Sequence, residues 1–238
     1  MYYETPQMLY KQLEMWQSYP EFVKEQVEFV VVDDGSLSNP AVIDNVALNL
    51  TFARVLENVP WNHPGSQNLC AHLAKGKWLV SCGIDHVLSI KDIDSLLKLD
   101  RTEEVNYRIS RRSTQEKFIG YHWAVNYLPK NTFWKIGGYD EDFTGFWGAD
   151  DVCFLNMLKK QGIPQIQIPP EQLSFVLYTE QDFKDANSHH HTDNVDGWGK
   201  RIMNRRNKSL WRAKIRGDIP YGLNPLRFKW EVVKKFKL

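Results

Sequence analysis

Three acidic clusters in this chain of 238 residues have the composition that base-assisted or phosphate-directed chemistry needs. The first is Asp33-Asp34, inside Asp33-Asp-Gly-Ser36. The second is Asp85-His86, three residues after Cys82. The third closes the segment Ile136-Gly-Gly-Tyr-Asp-Glu-Asp-Phe-Thr-Gly-Phe-Trp-Gly-Ala-Asp-Asp151. A carboxylate at a strand end can accept from a base or a ribose, or hold a divalent cation that neutralises a diphosphate. Adjacent carboxylates can hold a hydroxyl and take its proton. Asp-Gly-Ser is also an ordinary turn sequence, and acids at a helix start also serve the helix dipole. Neither bland explanation accounts for the Gly-Gly-Tyr-Asp and Trp-Gly that precede Asp150 and Asp151.

The elements that must position these acids follow from hydrophobic pattern. Residues 28–32, Glu-Phe-Val-Val-Val, read as a strand buried on both faces, ending at Asp33. Residues 78–82, Trp-Leu-Val-Ser-Cys, read as another that runs into Asp85. Alternation of Val46, Leu48, Leu50 and Phe52 suggests a strand between them. A helix is expected over residues 6–26, with Leu9, Leu13 and Trp16 on one face, and a second from Gln67 to Lys75 capped by Ser66. A helix near 91–98 and a strand near 104–110 follow. A further helix starts at Ala149 or Asp150 and stops at Gly162-Ile-Pro164. Ile166 and Ile168 suggest a short strand. Strands alternating with helices predict an α/β fold, a Rossmann-type, mostly parallel sheet with flanking helices. In such sheets ligands bind beyond the carboxyl ends of the strands, where Asp33-Asp34 and Asp85 fall.

Composition is that of a folded domain, with 42% hydrophobic and 25% charged residues. The net charge of +1 conceals an asymmetry: of 30 basic and 29 acidic residues, 13 basic and 2 acidic lie from Trp198 onward. The acidic body suits carboxylate chemistry, and the basic end suits an anionic partner. Cys70, Cys82 and Cys153 are too dispersed for a zinc site or a disulfide framework and read as reduced thiols. The first residues do not resemble a secretory signal, and no apolar stretch approaches the roughly 20 residues that span a bilayer. These features suggest a cytoplasmic protein. The division expected is one α/β domain over residues 1–197 and a basic tail over 198–238.

In order, Val31-Val-Asp-Asp-Gly-Ser36, Asp85-His86, Gly137-Gly-Tyr-Asp140 and Trp147-Gly-Ala-Asp-Asp151 resemble family 2 glycosyltransferases of the GT-A fold. The last segment also resembles the C-terminal catalytic module of galactosyltransferases, whose pattern is Trp-Gly-Gly-Glu-Asp. The resemblance covers residues 2 to roughly 195. It implies transfer of a sugar from a nucleotide-sugar donor, a UDP-sugar by preference, to a hydroxyl of a glycan or lipid-linked acceptor, with inversion. It implies Asp33 and Asp34 at the base or ribose, Asp85 at Mn²⁺ or Mg²⁺ and the diphosphate, Asp151 as general base, and Asp150 at the acceptor hydroxyl. Tyr139 and Trp147 would border the sugar.

The chain departs from the family in three places. Gly83 stands where the first acid of the metal motif belongs, so His86 is a candidate to assist Asp85, and so are His190 and His191 of the His189-His-His191 run, a polar stretch that reads more readily as a solvated loop. Gln67 stands where the family has Arg. The usual first strand, which ends in Pro-Tyr-Tyr-Asn, is missing at Met1-Tyr-Tyr-Glu-Thr-Pro6. These departures leave a second reading, a non-catalytic nucleotide- or glycan-binding module of the same fold. A nucleotidyltransferase ranks last, for want of a Gly-rich basic loop. The tail mixes Arg201, Arg205, Arg206 and Lys208, then Arg227, Lys229, Lys234, Lys235 and Lys237, with Phe228, Trp230 and Phe236. Such a mixture suits an anionic membrane surface, and equally a solvated tail that packs its aromatics on the body. No nucleic-acid module is present.

Overall fold

The computed structural model describes residues 1–179, 182, 197–222 and 224–238, the side chains of 197–204 excepted. The helix expected over 6–26 is two helices, α1 (Pro6–Gln17) and α2 (Glu21–Gln26). Pro20 separates them, because proline lacks the N–H that a continuing helix needs. Strand β1 (Phe29–Asp33) follows, then β2 (Leu50–Val55). The alternation at 46–52 therefore marks one buried side of a loop that becomes a strand only at Leu50: Val46 and Leu48 are buried without pairing. Next come α3 (His63–Leu73), β3 (Trp78–Ser81), β4 (His86–Val87) and α4 (Ile90–Leu97). Ser89 caps α4 by accepting from the Asp92 amide. The chain continues through β5 (Asn106–Arg112), β6 (Phe118–Pro129), α5 (Lys130–Lys135) and a 3-10 turn, Glu141–Phe143. It ends with α6 (Asp150–Lys160), β7 (Gln165–Gln167), β8 (Ser174–Leu177), α7 (Gly197–Arg216) and β9 (Trp230–Phe236).

The fold is α/β with flanking helices. Its strands form two sheets, β1-β2-β9 and β3-β6-β5-β8-β4, with β7 on β5. Pairing is mixed rather than mostly parallel: β1–β2, β5–β7 and β5–β8 are parallel, and β2–β9, β3–β6, β5–β6 and β4–β8 are antiparallel. The physical reason lies in the connections. Parallel neighbours need a long crossover, whereas the five residues between β5 and β6 permit only a hairpin. A cavity of about 550 Å³ lies between β1 and β3 and separates the sheets. On that side β1 has one isolated parallel bridge, Tyr2 to Asp33, made by Tyr2 N–H to Val32 O (2.8 Å) and Asp34 N–H to Tyr2 O (2.9 Å).

Residues after 197 belong to the packed body. Leu210, Trp211 and Ile215 of α7 pack on the cluster around Phe133, Phe143 and Phe154. Strand β9 extends the first sheet through β2. Phe228 and Trp230 pack against one hydrophobic cluster and Phe236 against another. These three aromatics are turned toward the body, and the apolar side chains that β9 leaves exposed are Val232 and Val233. Among the described residues no helix is long and apolar enough to cross a membrane.

Candidate active site

The site is assembled where α3, α6, β5 and the residues after β3 converge. Helix α3 begins four residues earlier than expected, at His63, with Pro64 in its first turn. Proline suits that position because its missing N–H has no partner there in any case. The shift changes what Ser66 does. It is not the cap; its hydroxyl donates to Asp34 Oδ1 at 2.6 Å, and Asn62 Nδ2 donates to the same oxygen at 2.9 Å. Burial pushes the Asp34 carboxyl up to about 7, against the pull of these two bonds.

Its neighbour Asp33 has a different role. Oδ1 accepts from Ser36 N–H (3.0 Å), and Oδ2 accepts from Ala41 N–H (2.9 Å) and Arg54 Nε (3.2 Å). Fully buried, Asp33 organises the loop that leaves β1, which uses the acceptor sites a nucleotide would need.

The acidic stretch after Gly137-Gly138 is mostly architecture. Gly138 has φ +75°, and a Cβ there would meet Asn68 Oδ1 at 2.4 Å. Asn68 uses that approach to bond Tyr139 N–H (2.8 Å) and Tyr139 O (2.9 Å). Asp140 accepts from Gly222 N–H, and Glu141 from the amides of Leu226 and Arg227. These acids fasten the C-terminal segment to the body. Tyr139 is 1% exposed and stacks on Phe154 at 4.3 Å, so it is a core residue behind the acids and not a wall of the sugar site as expected.

The pair Asp150-Asp151 opens α6. Ala149 before it adopts the left-handed conformation, φ 71° and ψ −10°. That turn, with Gly148 at φ 95°, aims both carboxylates into the site. A left-handed Ala costs about 1–2 kcal/mol, and the galactosyltransferase pattern has Gly at this position. Ala149→Gly is expected to stabilise the fold by about 0.5–1 kcal/mol, because strain relief exceeds the added chain entropy of Gly. Urea unfolding would measure it; a loss of stability would show that the turn is unstrained.

Helix α7 holds the preceding Trp147. Buried Asn207 donates to the carbonyls of Phe146 and Gly148, both at 2.8 Å. Trp147 remains 41% exposed and meets Trp61 edge to face at 6.3 Å. An exposed ring so fixed can stack on a sugar.

The sequence reading missed His63. Its Nδ1 lies 2.5 Å from Asp150 Oδ2, and both residues are largely buried. Burial opposes its charge, but Asp150 outweighs burial and raises the imidazole above its ordinary value. On its other side Gln67 Nε2 lies 3.4 Å from His63 Nε2, and Gln67 Oε1 accepts from Ser81. Its one sequence signal was its place just ahead of Pro64 at a helix start. Asp151 is the freer carboxylate: among the described residues its Oδ1 accepts from the local Val152 amide and no side chain bonds it. Burial first, then the charge of Asp150, lifts it to about 6, with His63 opposing.

Asp85 lies on the far side of the basin, and its Oδ1 is 2.7 Å from His86 Nδ1. A Cβ on Gly83 would meet that same Oδ1 at 2.4 Å, so a second acid at 83 would displace Asp85. The donor set is thus one carboxylate and one imidazole engaged with each other, near the positive charge of Arg111. A divalent cation held here would take one carboxylate and at most one imidazole from these two residues, and its remaining oxygen donors from phosphates and water. No group of three or more His, Cys, Asp or Glu among the described residues can hold one. His190 and His191 lie outside the described residues.

A comparison with known protein families finds none that matches the chain. A stretch of 45 residues, 18% of this chain, is 47% identical to validoxylamine A glucosyltransferase of Streptomyces hygroscopicus subsp. jinggangensis, and the same holds for subsp. limoneus. The match spans 10% of those relatives. Among solved structures, the catalytic domain of Drosophila beta1,4-galactosyltransferase 7 with xylobiose aligns with a TM-score of 0.49 and 14% identity, over 77% of this chain and 72% of that one. A mutant of that enzyme with manganese, UDP-Gal and xylobiose aligns with the same score at 10% identity, over 81% and 77%.

Proposed function

We propose that this chain is a glycosyltransferase, moving a sugar from a nucleotide-sugar donor to a hydroxyl of a glycan or lipid-linked acceptor with inversion. The observation that carries the reading is the division of labour between Asp150 and Asp151. One carboxylate is fixed by His63, and the other is lifted to about 6 with one oxygen uncommitted. A base near the working pH combines an available unprotonated form with useful basicity. The short match to a glucosyltransferase agrees with this reading.

In the reaction Asp150, held by His63, accepts a hydrogen bond from the acceptor and orients it. Asp151 takes the hydroxyl proton as the oxygen attacks the anomeric carbon. The bond to the diphosphate breaks on the opposite face, and one displacement inverts the centre. Trp147 provides a stacking face for a sugar ring. Asp34 is as buried as Asp33, but its Oδ2 accepts no hydrogen bond among the described residues, so Asp34 rather than Asp33 keeps an acceptor for the nucleoside. The expected Mn²⁺ or Mg²⁺ enters no step here; Asp85, with His86 beside it, is the residue that would hold it, and the metal would supply charge for the departing diphosphate.

A screen of UDP-, GDP- and dTDP-sugars, reading released nucleoside diphosphate with and without glycan acceptors, tests the proposal. Release from one donor, accelerated by an acceptor, is the expected result. Nucleotide binding without release from any donor would instead establish the non-catalytic module.

A further inference from the structure

We propose that Arg108 and Arg111 of β5 form a diphosphate-binding site, so that the leaving group's charge is met by two guanidinium groups and not by a divalent metal. The proposal rests on the glycosyltransferase reading only for the identity of the diphosphate's carrier.

The starting observation is an imbalance of charge. Arg108 is 7% exposed, yet its buried Nε has no hydrogen-bond partner. The buried Nε of Arg111 has none either. Neither makes an ion pair among the described residues. The difference from the next residue lies in ion pairing: the Nε of Arg112 also lacks a well-formed hydrogen bond, but its guanidinium pairs with Asp92 at 2.6 Å and Glu116 at 2.9 Å. Burial lowers both Arg108 and Arg111 below the usual guanidinium range. A guanidinium does not neutralise in a protein, so a buried one without a counter-ion persists at a cost. An anion bound between the two removes that cost.

Their place fits the leaving group. Arg108 feels the charge of Asp151, and Arg111 that of Asp85, the acids proposed for the base and for the diphosphate end. Arg108 is held by its bond to His122 O, and its guanidinium lies 5.7 Å from the Trp123 ring centre. His122 is 6.4 Å from His86, ring to ring. Burial, with Arg111 next, pushes His122 down to about 4, which leaves its ring neutral at pH 7. Two fixed positive charges thus lie beside His122, and an arginine fork matches two phosphate oxygens where a lysine does not.

Isothermal titration calorimetry with inorganic pyrophosphate, on the full chain in EDTA and again with Mn²⁺, tests the site. Binding is expected in EDTA, weakened roughly tenfold or more in Arg108→Gln and in Arg111→Gln. Arg111→Lys should retain part of it. Thermal melts should show the Gln variants at least as stable as the parent, because an unpaired buried charge is gone; a merely structural arginine would give the reverse. Binding that needs Mn²⁺, or Gln variants that bind like the parent, would overturn the proposal. Pyrophosphate carries neither base nor sugar. Arginine-dependent binding without transfer from any donor would therefore sink the glycosyltransferase reading alone, and transfer with Mn²⁺-dependent binding would sink the arginine site alone.

Discussion

Asp151→Asn is expected to lower sugar transfer by about 10²–10⁴-fold while the fold survives. Asn fills the same volume and keeps an acceptor for the Val152 amide, the local bond that Asp151 makes at 2.7 Å. It cannot take a proton. The parent should also show an acid limb: the base works ionised, so the rate rises with pH through about 6 and levels off above it. The limb sits above the ordinary carboxylate range because burial and Asp150 both penalise the charge of Asp151. A full transfer rate in Asp151→Asn, measured with the donor found by screening, would remove the base assignment. Retained donor hydrolysis with lost transfer would instead support a role confined to the acceptor.

Lys214→Ala is expected to cost about 3–5 kcal/mol of stability. The Lys214 side chain is fully buried, with Nζ 2.7 Å from Asp140 and 2.6 Å from Asp142. Burial opposes its charge, but the two carboxylates outweigh burial and raise its pKa. Removing the ammonium would leave Asp140, itself buried, without its cation. The same ammonium donates to Pro220 O, so the variant also loosens the turn after α7. That matters to the site, because Asn207 of α7 holds the carbonyls on either side of Trp147. Chemical denaturation would measure the loss. A change within 1 kcal/mol would show that α7 docks through Leu210, Trp211 and Ile215 alone.

Both variants act on residues whose roles were unequally readable. Asp151 could be singled out from its motif. Lys214 could not, since it lies among basic residues that read together as a solvated tail. Its partners are 74 and 72 residues away in the chain, and periodicity carries no record of such a pairing.

By itself the sequence determined the local elements with strong patterns. The β-branched run of β1 and the Gly-Ile-Pro stop after α6 are short-range signals, and each produced its element within a residue or two. It also determined that Asp34, Asp85 and the Asp150-Asp151 pair would follow strand ends or open a helix. Only the tertiary structure decided which acids remain available. Asp33 and Asp34 are adjacent in sequence, yet Asp33 is bound by the amides of Ser36 and Ala41 and by Arg54, while Asp34 faces α3. Likewise only the fold set His63 against Asp150, and left Arg108 and Arg111 without an ion pair among the described residues while Arg112 acquired two. The reason is physical: propensity and periodicity are fixed by neighbours in the chain, whereas charge compensation and burial are fixed by neighbours in space. Asp85, first read as a metal anchor, shows the difference best. It follows β3 as its motif implies, but only the fold engages it with the His86 ring and brings Arg111 near it.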